Sequence, residues 1–280
     1  MPVTDSPLRY PGGKTQLAPF VVEVLRANDL FYGAYAEPFA GGCGLALKLL
    51  LDGYVSELHI NDIDRSIYSF WACVLRRPDD LCELIERTPV TMEEWRKQRE
   101  IQLAPRSRVL ELGFSTLFLN RTNRSGIIRG GVIGGKAQQG NYALDCRFNQ
   151  AVLIRKIRRI AAHSSQISLS RDDAEYFIRD RVRRLPMKTL VNIDPPYYAK
   201  GPELYTSFYE HADHQNLARA VRSIRQPWIV TYDNVPQIRA MYEGLPLYTQ
   251  ELNYSAQDKR VGVELLIVDK RLSMPIDLAA

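Results

Sequence analysis

A short apolar run that ends in a stiff polar turn places the strongest constraint on the fold. Residues 190–193 (Leu-Val-Asn-Ile) predict a buried parallel strand, and Asp194-Pro195-Pro196-Tyr197 follows directly. Ligands of open α/β sheets bind at the carboxyl ends of the strands. Consecutive prolines have nearly fixed φ and no amide hydrogen. The turn therefore gives the Asp194 carboxylate, the Pro195 carbonyl and the Tyr197 ring fixed directions.

These groups suit methyl transfer to an exocyclic amine on a planar base. The lone pair of such an amine is delocalised into the ring. A carboxylate and a carbonyl that accept its two hydrogens would localise that pair toward a methyl donor. Tyr197 stacked on the base would hold it, so positioning would supply much of the acceleration. The alternative is an ordinary strand end with a proline turn and surface tyrosines.

A second strand-turn-helix pattern lies nearer the N-terminus. Residues 34–44 (Ala-Tyr-Ala-Glu-Pro-Phe-Ala-Gly-Gly-Cys-Gly), followed by 45–51, predict a strand, a glycine-rich turn and a helix in that order. The next strand, 57–60, is followed by Asn61 and Asp62. Asp62 lies 20 positions after Gly42 (62 − 42), the spacing at which nucleotide-binding folds present a carboxylate to a ribose hydroxyl.

The first informative stretch is Leu8-Arg-Tyr-Pro-Gly-Gly-Lys14, followed by apolar residues at helical spacing. A glycine turn that opens into a helix resembles an anion cradle. It lacks the spacing of a Walker A loop. The alternative is a tight loop before an N-terminal helix.

The pattern changes over residues 67–165, which contain charged helices and a basic, glycine-rich stretch at 121–136. Such a stretch predicts a hairpin or an exposed loop, and its Asn and Arg side chains are types that contact base edges. Residues 153–160 predict a basic amphipathic helix, whose polar face either is solvated or contacts phosphate. We interpret 67–165 as an inserted domain that faces nucleic acid.

The α/β pattern resumes at 166–169 and reaches the acidic pair Asp172 and Asp173. It continues through the strand at 190–193, a helix with His211 and His214, and a buried strand at 228–234. The last strands are predicted near 252–254 and 263–268. The order indicates an α/β sheet interrupted by the inserted segment.

Composition and cysteine spacing limit the classes of protein to which this chain can belong. The chain has 280 residues, 45% hydrophobic, with a formal charge of +5 and four cysteines. No secretory signal and no apolar run of the roughly 20 residues that cross a bilayer are seen, so we expect a cytoplasmic protein with no membrane contact. The cysteines have no C-x-x-C spacing, which fits a reduced cytosol. His211 and His214 lack a third ligand, so no metal site is expected.

Taken together, these stretches resemble the Dam-type (D12 class) DNA adenine-N6 methyltransferases, in the order of cofactor motif, recognition region and catalytic motif. The resemblance covers Leu8 to about Val268. It implies a Rossmann-like methyltransferase sheet, formed by 1–66 and 166–280, and an inserted, mainly helical target-recognition domain at 67–165. It also implies S-adenosylmethionine as methyl donor, S-adenosylhomocysteine as product, and double-stranded DNA as substrate.

The resemblance also assigns roles to individual residues. It implies a catalytic loop of Asp194, Pro195, Pro196 and Tyr197, with the target adenine extruded into the pocket. The positions that it assigns to cofactor binding are Tyr10, Lys14, Glu37, Pro38, Phe39, Gly41, Gly42, Asp62, Asp173 (or, as a weaker choice, Asp172) and Asp194. Leu119-Asn120-Arg121, Gly126 and Arg129 resemble the start of the DNA-reading hairpin. The residues that we predict to contact DNA are Asn120, Arg121, Asn123, Arg124, Arg129 and Lys136.

Three departures from the family pattern stand out. Tyr10 replaces a frequent Trp, and Cys43 occupies a position that usually holds a small residue. Residues 122–125 (Thr-Asn-Arg-Ser) stand where GATC-specific members carry aromatic residues. The recognition sequence therefore stays open.

Two alternatives remain. The same catalytic motif serves cytosine N4, and a DNA-binding protein with a vestigial cofactor fold would share the pattern. The chain contains no nuclease motif, so a role in restriction or defence would need a separately encoded nuclease as partner.

Overall fold

The computed structural model describes residues 4–9, 14–199, 209–254 and 260–274, the side chains of 251–262 excepted. These residues form one seven-stranded sheet. Its strands are β1 Ala34–Glu37, β2 Glu57–Asn61, β3 Ile167–Ser170, β4 Thr189–Ile193, β5 Trp228–Asp233, β6 Leu247–Tyr254 and β7 Arg260–Val268.

The strand order is β3-β2-β1-β4-β5-β7-β6. The first five strands are mutually parallel, and β7 runs antiparallel between β5 and β6. The order reverses between β1 and β4, and in such sheets the ligand crevice lies outside the carboxyl ends of the strands at that switch point. The predicted Rossmann-like α/β sheet is confirmed.

Helices cover both faces of the sheet. They are α1 Ala18–Ala27, α2 Gly44–Leu51, α3 Arg65–Arg76, α4 Pro78–Arg87, α5 Met92–Leu103, α6 Val109–Thr122, α7 Gln150–Ala161, α8 Ala174–Tyr176, α9 His211–Arg222 and α10 Pro236–Met241. A 3-10 turn, Lys14–Leu17, leads into α1, and a π-helical turn, Phe177–Arg181, continues α8.

Local sequence explains where these helices begin. The Asp64 carboxylate caps α3 by accepting hydrogen bonds from the amides of Ser66 and Ile67 at 2.7 and 3.4 Å. Pro78 starts α4 without the loss of a hydrogen bond, because the first amides of a helix have no partner within it. Every residue of β1 and β4 is buried, as expected of central parallel strands that are covered on both faces.

Five helices, α3 to α7, lie between β2 and β3 along the chain. Gly113 lets α6 approach α3, since a Cβ at this position would lie 2.6 Å from Cys73 Sγ and 2.7 Å from the Ser69 carbonyl oxygen. Leu117 of α6 and Leu58 of β2 belong to the same buried cluster. The helical region thus shares a core with the sheet, and its division into a separate domain stays a prediction.

Candidate active site

The predicted acids gather at the carboxyl edge of the parallel strands. Glu37 ends β1, Asp62 follows β2, and Asp194 follows β4. Because β4 and β2 flank β1 on opposite sides, three stretches that are distant in sequence meet around the switch point. The sheet topology therefore brings the proline turn and the glycine-rich turn together.

Asn61 links these loops to one another, whereas the sequence pattern predicts it only as a strand end. Its buried side-chain amide donates to the carbonyl oxygens of Pro38 and Asp172, each at 3.0 Å. Its Oδ1 accepts from the Asp172 amide and the Ser170 hydroxyl, each at 2.8 Å. One residue thus fixes the turns after β1 and β3.

Glu37 is a buried acid held by neutral donors. Its Oε1 accepts the Tyr35 hydroxyl at 3.1 Å, and Asn192 also hydrogen bonds to it. Burial, opposed by these hydrogen bonds and aided by the nearby Asp194 charge, raises the pKa of Glu37 to about 8. A buried carboxylate of this kind is suited to receive a cationic group.

Asp62 holds the glycine-rich turn in place. Its Oδ2 accepts the Gly41 amide and its Oδ1 accepts the Asp64 amide, both at 2.9 Å. The Trp71 indole donates to the Gly41 carbonyl oxygen at 2.9 Å. Burial is the main cause that raises the pKa of Asp62, to about 7. Pro38, Phe39 and Gly42 lie in the same turn.

We expect the stability of the ligand-free protein to reflect the buried Glu37. Between the ordinary pKa of 4.5 and the raised value of about 8, the folded protein holds a proton that the unfolded chain releases. The free energy of unfolding therefore falls as the pH rises through this window, by at most roughly 1.4 kcal/mol per pH unit. Denaturant unfolding across this range should show a shallower fall for Glu37→Gln; equal slopes in the two proteins would contradict the assignment.

The acids after β3 differ from each other. Asp173 is exposed and caps α8, accepting the amides of Glu175 and Tyr176 at 2.9 and 3.4 Å. Asp172 is half-buried and pairs with Arg181. The exposed Asp173 therefore keeps the more accessible carboxylate of the two.

The turn after β4 contains a buried ionic cluster, which we name the Lys14 cluster: Lys14, Asp194, Tyr197 and Glu264. Lys14 Nζ lies 3.1 Å from Asp194 Oδ1, 3.1 Å from Glu264 Oε1 and 2.9 Å from the Tyr197 hydroxyl. Tyr197 also donates to Glu264 Oε1. The residues predicted for cofactor binding and for catalysis therefore meet in one cluster, which Glu264 completes.

Two further residues fix the proline turn. The Thr231 hydroxyl donates to Asp194 Oδ1 at 2.6 Å. Asp233, at the end of β5, accepts the amides of Tyr198 and Ala199, each at 2.8 Å. Sequence reasoning placed both residues only within a strand, although an acid at the end of a strand is a signal that could have indicated Asp233.

The Tyr197 ring is 8% exposed, and Lys14 Nζ lies 5.1 Å from its centroid. Pro195 is buried and Pro196 is half-buried. A base stacked on Tyr197 requires more of this ring to be exposed. Tyr10, predicted to bind the cofactor, and the glycines before Lys14 lie outside the described residues.

The six residues predicted to contact DNA fall into two groups. Arg124, Arg129 and Lys136 are exposed. The buried Asn120 binds the Arg9 amide and carbonyl oxygen and the Gly126 carbonyl oxygen, each at 2.7 Å.

Asn123 and Arg121 also point into the protein. Asn123 is buried, donates to the carbonyl oxygens of Ile127 and Ile128 at 3.0 and 2.8 Å, and accepts the Trp95 indole at 2.8 Å. Arg121 donates from Nε to the Pro7 carbonyl oxygen at 2.6 Å. These contacts shape the loop from within, whereas the exposed group is available to a partner.

His214 packs inside the protein and its Nδ1 lies 2.8 Å from the Tyr232 hydroxyl. In the described part of the chain no three His, Cys, Asp or Glu side chains form a group that could hold a metal ion. None of the described helices combines the length and the apolar character that a membrane span requires.

Comparison with solved structures finds distant likenesses. A provisionally assigned RNA methyltransferase from Pyrococcus horikoshii shares 11% identity at a TM-score of 0.46, covering 94% of this chain and 86% of that one. The rRNA methyltransferase aviRa from Streptomyces viridochromogenes shares 14% identity at a TM-score of 0.40, covering 92% and 85%. No curated protein matches the chain.

Comparison with protein families gives a direct result. The model of the D12 class N6 adenine-specific DNA methyltransferase family matches residues 10–257. The match contains the glycine-rich turn, the helical region and the proline turn, and so it spans both halves of the sheet and the segment between them. The chain belongs to the D12 class of N6 adenine-specific DNA methyltransferases.

Proposed function

We propose that this enzyme transfers the methyl group of S-adenosylmethionine to N6 of adenine at a specific site in double-stranded DNA, with the target base turned out of the duplex. The observation that carries the proposal is the juxtaposition at the switch point. The Asp194 carboxylate, held by Lys14, follows the strand next to the one that ends in Glu37. A methyl donor and an amine acceptor thus have adjacent sites.

The residues at the glycine-rich turn fit the methyl donor. Glu37 and Asp62 are buried acids, and neither forms an ion pair with a described residue. Glu37 suits the ammonium of the methionine part, Asp62 suits ribose hydroxyls, and the exposed Asp173 suits the adenine edge. When bound, S-adenosylmethionine supplies a methyl group on a positively charged sulfur.

The proline turn prepares the target amine. Thr231 and Lys14 both contact Asp194 Oδ1, and these contacts hold the carboxylate in place. Asp194 accepts one amine hydrogen and the Pro195 carbonyl accepts the other, which directs the nitrogen lone pair toward the methyl group. Tyr197 stacks on the base, and the fixed loop supplies catalysis largely by positioning.

DNA binds to the basic side of the helical region, which serves as the target-recognition domain. Arg124, Arg129 and Lys136 reach the duplex, while Asn120 and Asn123 shape the loop that carries them. Burial beside Arg9 and Arg147 lowers the pKa of Arg121 to about 10. A nearby phosphate would relieve the repulsion among these guanidinium groups, so affinity depends on salt.

Expression in cells that lack adenine methylation, followed by single-molecule sequencing of the DNA, tests the proposal. We expect N6-methyladenine at one short motif, and mass spectrometry of the nucleosides separates it from N4-methylcytosine. Unmodified DNA in the presence of folded protein would contradict the proposal and leave the DNA-binding alternative. A cytoplasmic setting and a separately encoded nuclease partner are further parts of the proposal, tested by localisation and co-purification.

A further inference from the structure

Glu264 reaches the Lys14 cluster from the last strand of the sheet. In the antiparallel pairing of β5 with β7, Glu264 lies opposite Asp233, at the end of β5 that adjoins the proline turn. The residue is 3% exposed. The antiparallel direction of β7 thus delivers an acid to the carboxyl edge of the parallel strands, 70 positions after Asp194 (264 − 194).

Glu264 Oε1 contacts two of the groups that surround Asp194. It accepts from Lys14 Nζ at 3.1 Å and from the Tyr197 hydroxyl. Lys14 in turn lies 3.1 Å from Asp194 Oδ1. Glu264 is therefore a shared partner of Lys14 and Tyr197, and Lys14 joins it to Asp194.

Charge explains why a second acid is needed here. A buried ammonium is costly unless its donors are paired, and Lys14 has three donors. With Asp194 as the sole anion, Lys14 would compete with the substrate amine for that carboxylate. Glu264 shares the ammonium and at the same time accepts the Tyr197 hydroxyl, which holds that end of the ring in place.

We propose that Glu264 is a positioning residue for methyl transfer, which fixes the Lys14 ammonium and the Tyr197 ring around Asp194 without contacting the DNA or the methyl donor. This role rests on the proposed function. It concerns a residue that lies outside the matched family region, 10–257.

Glu264→Gln keeps the volume and one acceptor oxygen but removes the charge. We expect kcat to fall on the order of 10- to 100-fold, the cost of small misplacements at a reacting centre. The Kd values for DNA and for S-adenosylhomocysteine should stay within about threefold, because Glu264 touches neither. Single-turnover kinetics and equilibrium binding measure these quantities separately.

The pH profile distinguishes positioning from a merely structural role. Among the described residues, the charged and titratable groups that act on Glu264 include Lys14, Asp194 and Tyr197. Removing one negative charge beside Lys14 favours the neutral form of the lysine. The alkaline limb of the pH profile of kcat should therefore move to lower pH in E264Q. Glu264→Asp keeps the charge on a shorter side chain and should lower kcat without moving that limb.

Asp269→Asn is the matched control. Asp269 is equally buried, follows the other end of β7, and binds Arg271 Nε at 2.9 Å. Loss of the Asp269 charge should lower the unfolding temperature and leave kcat and the pH profile of kcat unchanged. If Glu264 had only a structural role, E264Q would behave like this control, with a lower unfolding temperature and an unchanged kcat.

NMR titration of labelled Lys14 decides the inference independently of activity. The Lys14 ammonium should titrate at lower pH in E264Q than in the wild type. Unchanged kcat, or an unchanged Lys14 titration, in folded E264Q would overturn the inference while the proposed function stands. A wild-type enzyme that methylates no DNA would instead refute the proposed function, and the Lys14 titration would still decide whether Glu264 holds Lys14.

Discussion

Asp194→Ala should lower methyl transfer by about 1,000-fold and leave DNA bound. The carboxylate accepts an amine hydrogen in the proposed reaction, and loss of one such electrostatic contact lowers kcat by about 1,000-fold. The fold should survive, because Lys14 keeps its contact with Glu264 at 3.1 Å. Rapid-quench methylation assays with labelled donor, together with calorimetric titration of S-adenosylhomocysteine and DNA, measure the two properties.

Asp194→Asn separates the charge of this group from its ability to accept a hydrogen bond. The amide oxygen still accepts, so turnover should lie between those of the wild type and the alanine variant. Glu243→Ala, which removes an exposed acid, should behave as the wild type. An alanine variant at position 194 that retains more than about a tenth of wild-type turnover would show that the carboxylate does not take part.

Sequence patterns were sufficient for the part of the site that is built from strand ends. Glu37, Asp62 and Asp194 each follow an apolar run, and parallel strands bring their carboxyl ends to one edge. That rule holds whichever side chains fill the core. Residue order alone therefore predicts Asp62 and Asp194 at this edge, whereas the assignment of Glu37 depends on the family resemblance.

The same patterns could not identify the contacts made across the fold. Glu264 arrives on an antiparallel strand, and nothing near it in the sequence marks it as part of the site. Asn120 and Asn123 have side chains that suit base edges, yet both are buried and bind backbone groups within the protein. The type of a residue indicates what its side chain can bind, whereas the direction of that side chain depends on how α6 packs.

Gly126→Ala should be the most destabilising small change in the loop. A Cβ there would lie 2.2 Å from the Arg9 carbonyl oxygen, and the glycine has φ +78°. The left-handed backbone and the steric clash together should cost roughly 3 kcal/mol of unfolding free energy. Because Arg9 directly precedes the predicted cofactor residue Tyr10, its displacement should also weaken binding of S-adenosylhomocysteine.

Alanine variants of two other glycines in the same loop distinguish the cost of the left-handed backbone from the cost of the steric clash. Gly135 has φ +77° but open space around it, so its alanine variant should lose only about 1 kcal/mol. Gly131 has neither constraint, and its variant should change stability by less than about 0.5 kcal/mol. If denaturant unfolding and cofactor titration rank the three variants in this order, the contact between the loop and Arg9 links the DNA-facing region to the cofactor site. Equal losses at Gly126 and Gly135 would mean that backbone conformation alone matters, and that the Arg9 segment moves aside without consequence.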